Sequence, residues 1–243
     1  MAVTQGHGNP KWGRDEVLLA LDLYLTLGDT IPGPSDNRVV ALSEELRKLP
    51  IHADAKKNDR FRNAAGVAFK LQNIHQVATG KGLDNFSSTD KAVWEDFGHK
   101  PDLVRQLATQ IRAQAGDASV AAEAATAEDD EEFSEGRVLT AAHKVRERSP
   151  ALRRKVLKAR RAIGPLVCEC CARPPLTADA SIAEAEFECH HKLPLSQTNA
   201  TKTKASDVAL LCASCHRLIH RLMQTRRGWA SVEDLRAALC QAT

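Results

Sequence analysis

Apolar residues recur at helical intervals through the first half of the chain. Val17, Leu18, Leu21 and Tyr24 fall on one face of a helix beginning near Arg14, and Val39, Leu42 and Leu46 form a stripe on a second. Asp36 is placed to cap the second helix and Pro50 marks its end. A third pattern runs from about Asn63 through Val67, Phe69, Leu71 and Ile74, and the stretch TGKGLDNFSSTD that follows is rich in turn formers. Two shorter helices are expected around Ala92 to Phe97 and Asp102 to Ala113. The pattern predicts a mainly helical domain over residues 1–116.

The periodicity then gives way to blocks of charge. Between Asp117 and Glu135 there are eight acidic residues, no basic ones and a surplus of alanine, which is the composition of a solvated linker or a frayed helix. From Gly136 to Gly164 the sign reverses: Arg137, Lys144, Arg146, Arg148, Arg153, Arg154, Lys155, Lys158, Arg160 and Arg161 face a single acid, Glu147. As a helix, or a helix pair broken near Pro150, this run would carry a dense positive surface. The expected organisation is a helical domain over 1–116, an acidic linker over 117–135 and a second domain over 136–243. No internal repeat is visible.

Composition fits that division. A chain of 243 residues has room for two compact domains, and 43% hydrophobic with 27% charged residues is a soluble globular balance. No run approaches the roughly 18 to 20 apolar residues of a membrane helix, and MAVTQGHGNPKWGRDE lacks the apolar core of a secretory signal. The expectation is a cytoplasmic protein with no membrane partner. The net charge of +3 is too small to identify a partner, because it averages over opposite blocks.

Six of the seven cysteines crowd between Cys168 and Cys215. Cys168 with Cys171 and Cys212 with Cys215 form two C-x-x-C pairs, enough thiolates for a closed tetrahedral zinc that contributes folding energy and leaves no position open for chemistry. Cys170 and Cys189 each lie beside a proposed ligand and compete on paper, although the spacing favours Cys168 with Cys171. Cys189 reads as a small buried residue, and Cys240 as a bystander.

Between the pairs stands Glu188-Cys189-His190-His191-Lys192-Leu193-Pro194-Leu195, and directly after them Cys215-His216-Arg217-Leu218-Ile219-His220. His216 and His220, four apart, share one face of a helix and can share a metal ion. A third ligand is available from His190-His191, whose side chains point to opposite faces of a strand, so that one binds metal while the other turns toward a substrate. His7, His52, His75, His99 and His143 lie outside any ligand spacing and read as surface or satisfied core residues. Trp229 and Leu235 read as core contacts of a closing helix.

Taken together, C-x-x-C, then E-C-H-H-x-x-P-L, then D-V-A-L-L-C-x-x-C-H-x-x-x-H resembles the HNH domain of McrA-like restriction endonucleases, over roughly Gly136 to Leu239. The resemblance implies a ββα-metal fold. It also implies that His190, His216 and His220 hold one divalent cation (Mg²⁺, Mn²⁺, Co²⁺ or Ni²⁺), that His191 is the general base, and that the cysteines hold a structural zinc. Phosphodiester hydrolysis needs this chemistry: an imidazole titrating near about 6.5 takes the proton of water, and a cation neutralises charge on the phosphate. One departure is Asp207, which stands where the family often carries the asparagine of its name. There it is expected to accept the same hydrogen bonds, fix the backbone and orient the base.

The basic run suits phosphate contact, with Arg146, Arg148, Arg153, Arg154 and Lys158 as the DNA-binding candidates; its bland reading is a solvated helix face. In the helical half, Arg62, with Lys70 and Asn73 a turn or two away, has the chemistry to touch DNA, while Phe61 serves equally well as core. Trp12 and Trp94 suit stacking on an extruded base or simple packing. The resemblance implies a modification-dependent restriction enzyme acting on double-stranded DNA carrying 5-methylcytosine, working as a homodimer because one such site cuts one strand. The rival readings are an HNH nuclease of unmodified DNA and a non-catalytic zinc-knuckle DNA-binding module.

Overall fold

In the computed structural model, residues 9–28, 30–52, 55–82, 85–125, 136–194, 203–226 and 228–240 are described. They are mostly helical, with one two-stranded sheet near the C-terminal end, and they divide into two compact units between Ala141 and Ala142. Among the described residues no helix is long and apolar enough to cross a membrane.

The first unit is organised around α1 (Arg14–Tyr24), in which Val17, Leu18, Leu19, Ala20 and Leu21 are all buried. A helix enclosed over most of its circumference must be central, and α2 (Asn37–Lys48), α3 (Ala64–Thr79), α4 (Ser88–Phe97) and α5 (Pro101–Ala115) all pack against it. The boundaries have local causes. Asp36 accepts the Arg38 N–H at 2.9 Å, Asn63 accepts the Gly66 N–H at 2.8 Å, and Ser87 and Asp90 cap α4 reciprocally. Gly80 ends α3 at a φ of 71°, a left-handed position that favours glycine.

Three expectations change in this unit. Phe69 is 42% exposed, because the buried stripe of α3 is Val67, Leu71 and Ile74 and a residue two places from Val67 lies roughly 200° around the helix. Of the two readings of the acidic stretch, solvated linker or frayed helix, its first part takes the helical one as α6 (Ala118–Ala125), but with Val120 and Ala124 buried and packed on α5; the acidic residues 126–135 lie outside the described residues. Arg62, expected to reach DNA, is only 3% exposed. Its guanidinium binds both Glu16 carboxylate oxygens, at 2.5 and 2.7 Å, and the carbonyls of Pro10 and Lys11, with Trp12 and Phe61 against its faces. Removing one partner of such a buried pair costs about 3–5 kcal/mol, so Arg62 is a core cation. Lys70, bound to both oxygens of Asp90 at 2.8 Å, and the buried Asn73 are interior as well. Phe61 is fully buried, and Trp12 and Trp94 pack against the hydrophobic cluster of this unit.

Asp15 gives this unit a pH dependence. Its carboxyl is buried, and burial pushes it up to about 6 although the backbone N–H groups of Arg137 and Val138 pull the other way. Gly136, at a φ of 88°, lets the chain pass this carboxylate where a Cβ would lie 2.4 Å from its Oδ1. A carboxyl that binds its proton more tightly folded than unfolded favours the fold at low pH. That contribution is lost as pH rises from about 4 through 6 and amounts to roughly 3 kcal/mol. Asp15→Asn should therefore match the native protein in urea melts near pH 4 and exceed it above pH 6; parallel curves would show that Asp15 does not titrate in this range.

In the second unit, α7 (Arg137–Glu147) leads from Ala142 onward to α8 (Pro150–Arg161), whose start is set by the Ser149 cap and by Pro150 in the first turn. After the first cysteine pair come α9 (Ala180–Ala183), a 3₁₀ turn at Glu184–Glu186, and strand β1 (Phe187–His191). Strand β2 (Val208–Cys212) pairs antiparallel with it, Phe187 opposite Cys212 and His191 opposite Val208. Then follow α10 (Ala213–Arg226) and α11 (Val232–Cys240). Leu152, Val156 and Leu157 of α8, Phe187 and Cys189 of β1, Leu210 of β2, Ile219 of α10 and Leu235 of α11 share one core. The hairpin is thus held between α8 and α10, which fixes what its edge presents.

Candidate metal centres

Two clusters of side chains that could hold a metal ion stand in this unit. In the first, one sulfur from each of Cys168, Cys171, Cys212 and Cys215 lies within 4.8 Å of every other. Cys171 Sγ and Cys212 Sγ are 4.0 Å apart, close to the edge of about 3.8 Å that a tetrahedron with ~2.3 Å zinc–sulfur bonds requires. Burial pushes the Cys168 thiol up, but the N–H groups of Cys171, Cys212 and Cys170 outweigh it and hold the group at about 7; the Cys212 N–H lies 3.2 Å from its sulfur. Donors aimed at sulfur favour thiolate, which is the form that binds zinc. The first knuckle is fastened to the sheet through Glu169, whose N–H donates to the Leu210 carbonyl while its carboxylate accepts the Leu210 N–H. Cys170 and Cys189 are buried outside the cluster, and Cys240 is exposed.

The second cluster joins His190 of β1 with His216 and His220 of α10, and adds Glu147, the last residue of α7. His216 Nε2 and His220 Nε2 are 3.1 Å apart, and Glu147 Oε2 lies 3.4 Å from the former and 3.2 Å from the latter. His190 Nδ1 is 3.2 Å from Glu147 Oε1, yet neither ring nitrogen of this enclosed residue makes a hydrogen bond among the described residues. A carboxylate and three imidazoles converging at these distances, with the enclosed His190 left without a hydrogen bond, fit a divalent cation. On the outer side of α10, Glu188 Oε2 meets His216 Nδ1 at 2.5 Å, fixing that ring with Nε2 turned inward. Trp229 stacks on His190, with ring centroids 5.6 Å apart.

The electrostatics of the cluster are mixed. Burial drives Glu147 up, but its contacts with His190, His191, His216 and His220 outweigh this and leave it well below the usual carboxylate range. Burial pushes His190 down, only partly opposed by Glu147; for His216 the two glutamates outweigh burial and raise it.

His191, next along the strand, approaches the same Glu147 oxygen as His190 but lies outside the four-residue cluster. Its backbone N–H donates to Glu147 Oε1 at 2.9 Å, its Nδ1 lies 3.3 Å from the same oxygen, and its Nε2 lies 3.2 Å from Thr203 Oγ1. His143, one turn before Glu147 on α7, meets the His191 ring edge-on at 5.1 Å and forms a third group with Glu147 and His191. Both His143 and Glu147 escape the sequence reading, which set His143 aside. The available signal was their spacing of four within a helix, with Glu147 the only acid among the bases from Gly136 to Gly164.

The remaining candidates are dispersed. Asp207 accepts the Lys204 N–H at 2.8 Å and the Ser206 hydroxyl at 3.1 Å, and its carbonyl accepts the Lys192 N–H at 2.9 Å, so it braces the end of β1 through the backbone beside His191. The contacts described for the His191 ring are with Glu147, Thr203 and His143. Among the bases, Arg148, Arg154 and Lys158 are exposed and Arg146 is half-buried. Arg153 is turned inward onto the carbonyls of Glu184 and Phe187 and anchors the start of β1, so its guanidinium is committed to the fold.

The second unit thus sets a two-stranded antiparallel hairpin and a following helix, carrying histidines, beside a four-cysteine cluster. Residues 168–222 match the family model described as HNH endonuclease, a segment that contains both cysteine pairs and His190, His191, Asp207, His216 and His220. Glu147 and His143 precede it. No curated protein and no solved structure matches the chain.

Proposed function

We propose that this protein is a divalent-cation-dependent endonuclease that hydrolyses DNA phosphodiester bonds, with a zinc held by Cys168, Cys171, Cys212 and Cys215 for structure. The observation that carries the reading is the convergence of His190, His216 and His220 on the segment matched to HNH endonucleases, with His191 beside them. The cation, when bound, supplies charge to stabilise the phosphate and the departing oxygen.

His191 is the general base. A carboxylate only accepts hydrogen bonds, so the contact with Glu147 Oε1 places the ring hydrogen on Nδ1 and leaves Nε2 to take the proton of water. The water oxygen then attacks phosphorus and the ester P–O bond breaks. Thr203 Oγ1, now 3.2 Å from Nε2, shows that this nitrogen is reachable by an O–H group. Asp207 keeps the strand end in place through its backbone. Arg154, Lys155 and Lys158 lie on the exposed face of α8, opposite buried Leu152 and Val156, and supply phosphate contact that falls steeply with salt.

The target in this proposal is double-stranded DNA carrying 5-methylcytosine, chosen by the first unit, with two copies of the chain acting together to cut both strands. The test is a digest of methylated and unmethylated plasmid with Mg²⁺, Mn²⁺, Co²⁺ or Ni²⁺ after removal of loosely held metal. Cation-dependent cutting of the methylated plasmid is expected. Equal rates on both plasmids would remove the modification dependence, and no cutting of either would remove the nuclease reading.

A further inference from the structure

Glu147 sits where an acid is costly. It ends α7, where the helix dipole disfavours negative charge, and its side chain is 3% exposed. Its contacts among the described residues are four imidazoles and one backbone N–H, with no lysine or arginine. Neutral imidazoles bring no charge, and a buried carboxylate ordinarily requires a cation or a metal.

The atoms around it have the dimensions of a coordination shell. Glu147 Oε2, His216 Nε2 and His220 Nε2 form a triangle with edges of 3.1, 3.2 and 3.4 Å, and the edge of a tetrahedron with ~2.0 Å bonds is about 3.3 Å. His190, with both ring nitrogens lacking a hydrogen bond, closes the group from β1. The other carboxylate oxygen, Oε1, accepts the His191 N–H at 2.9 Å and lies 3.3 Å from the His191 Nδ1 and 3.2 Å from the His190 Nδ1.

We propose that Glu147 is the fourth protein ligand of the divalent cation, binding through Oε2, while Oε1 positions His191. The proposal rests on the histidine site described above. One carboxylate then ties the ion to the base, so a site assembled without α7 lacks both a ligand and the orientation of its base. Four protein ligands also give the ion one negative charge from the chain and tighter binding than three imidazoles provide.

The experiment is a Co²⁺ titration of the full-length protein with zinc retained on the cysteines, followed by calorimetry and by visible d–d absorption. The native protein should bind one Co²⁺ beyond its zinc. Glu147→Gln, which preserves shape and hydrogen-bond acceptance but removes charge, should bind roughly tenfold or more weakly and shift the d–d bands. Binding within about twofold of native with unchanged bands, while His216→Ala abolishes it, would overturn the proposal and leave Glu147 a structural acid. No effect of His216→Ala would instead overturn the histidine site itself. A second bound Co²⁺ that His143→Ala removes would overturn the single-ion arrangement. Should Glu147→Gln fail to fold, Glu147→Asp retracts the carboxylate by one methylene while keeping its charge, and the same loss of affinity is expected; unchanged affinity would count against ligation.

Discussion

His191→Ala should lower DNA cleavage by roughly 10²–10⁴-fold, the usual contribution of a positioned acid or base, while zinc content and DNA binding stay at native levels. The split follows from where His191 points. Removing its ring takes one contact from Glu147 Oε1 but leaves His190, His216, His220 and Glu147 Oε2 in place. Its backbone N–H to Glu147 survives the substitution, so the strand keeps its tie to α7. Single-turnover cleavage, metal analysis and a binding titration on the same preparation check the three quantities. Loss of folding together with activity would place His191 in the structural shell of the module and favour a non-catalytic zinc-knuckle DNA-binding protein.

Replacing Cys212 by serine should have the larger effect on structure. Cys212 ends β2 opposite Phe187, its sulfur faces Cys171, and its N–H supports Cys168, so one substitution removes a ligand and empties a contact at the junction of knuckle and sheet. A structural zinc contributes about 10–16 kcal/mol of apparent binding free energy, as much as or more than the ~5–15 kcal/mol by which a typical domain is stable. Hydrogen exchange over residues 168–222 should accordingly become fast, and a strong chelator should do the same to the native chain. The first unit has its own core, built on Val17, Leu18, Leu21 and Leu46, and its amides should keep their protection. Retained protection in the second unit after complete loss of zinc would remove the metal from the folding account.

Much of this was legible in the chain because it rests on local rules. The stripes Val17, Leu18, Leu21 and Val39, Leu42, Leu46 are buried as the helical period requires, and Asp36 and Asn63 stand at the starts of their helices. Paired C-x-x-C spacing and His216 with His220 four apart encode short-range geometry, since a knuckle or one helical turn brings the ligands together whatever surrounds them. What failed to read were residues whose role depends on partners far along the chain. Arg62 looks like a surface base until Glu16, 46 residues away, encloses its guanidinium. Arg153 looks like its neighbours Arg154 and Lys155 until the carbonyls of Glu184 and Phe187 claim it. Residues 117–135 read as a solvated linker or a frayed helix; over Ala118–Ala125 they form a helix, and it is packing that buries its Val120 and Ala124.

By itself, then, the sequence determined the helical scaffold and which cysteines and histidines fall at short ligand spacing, because both repeat at intervals shorter than a few turns. Tertiary structure decided which acid enters the site. Glu147 lies 43 residues before His190 and 73 before His220, with nothing in its local pattern to distinguish it from a solvated glutamate on a basic helix. Only the packing of the hairpin between α8 and α10 brings His190 and His191 of β1 to one oxygen of a carboxylate whose other oxygen meets His216 and His220. Such a meeting is set by the balance of buried charge and core packing over the whole unit, and no short window of residues contains it.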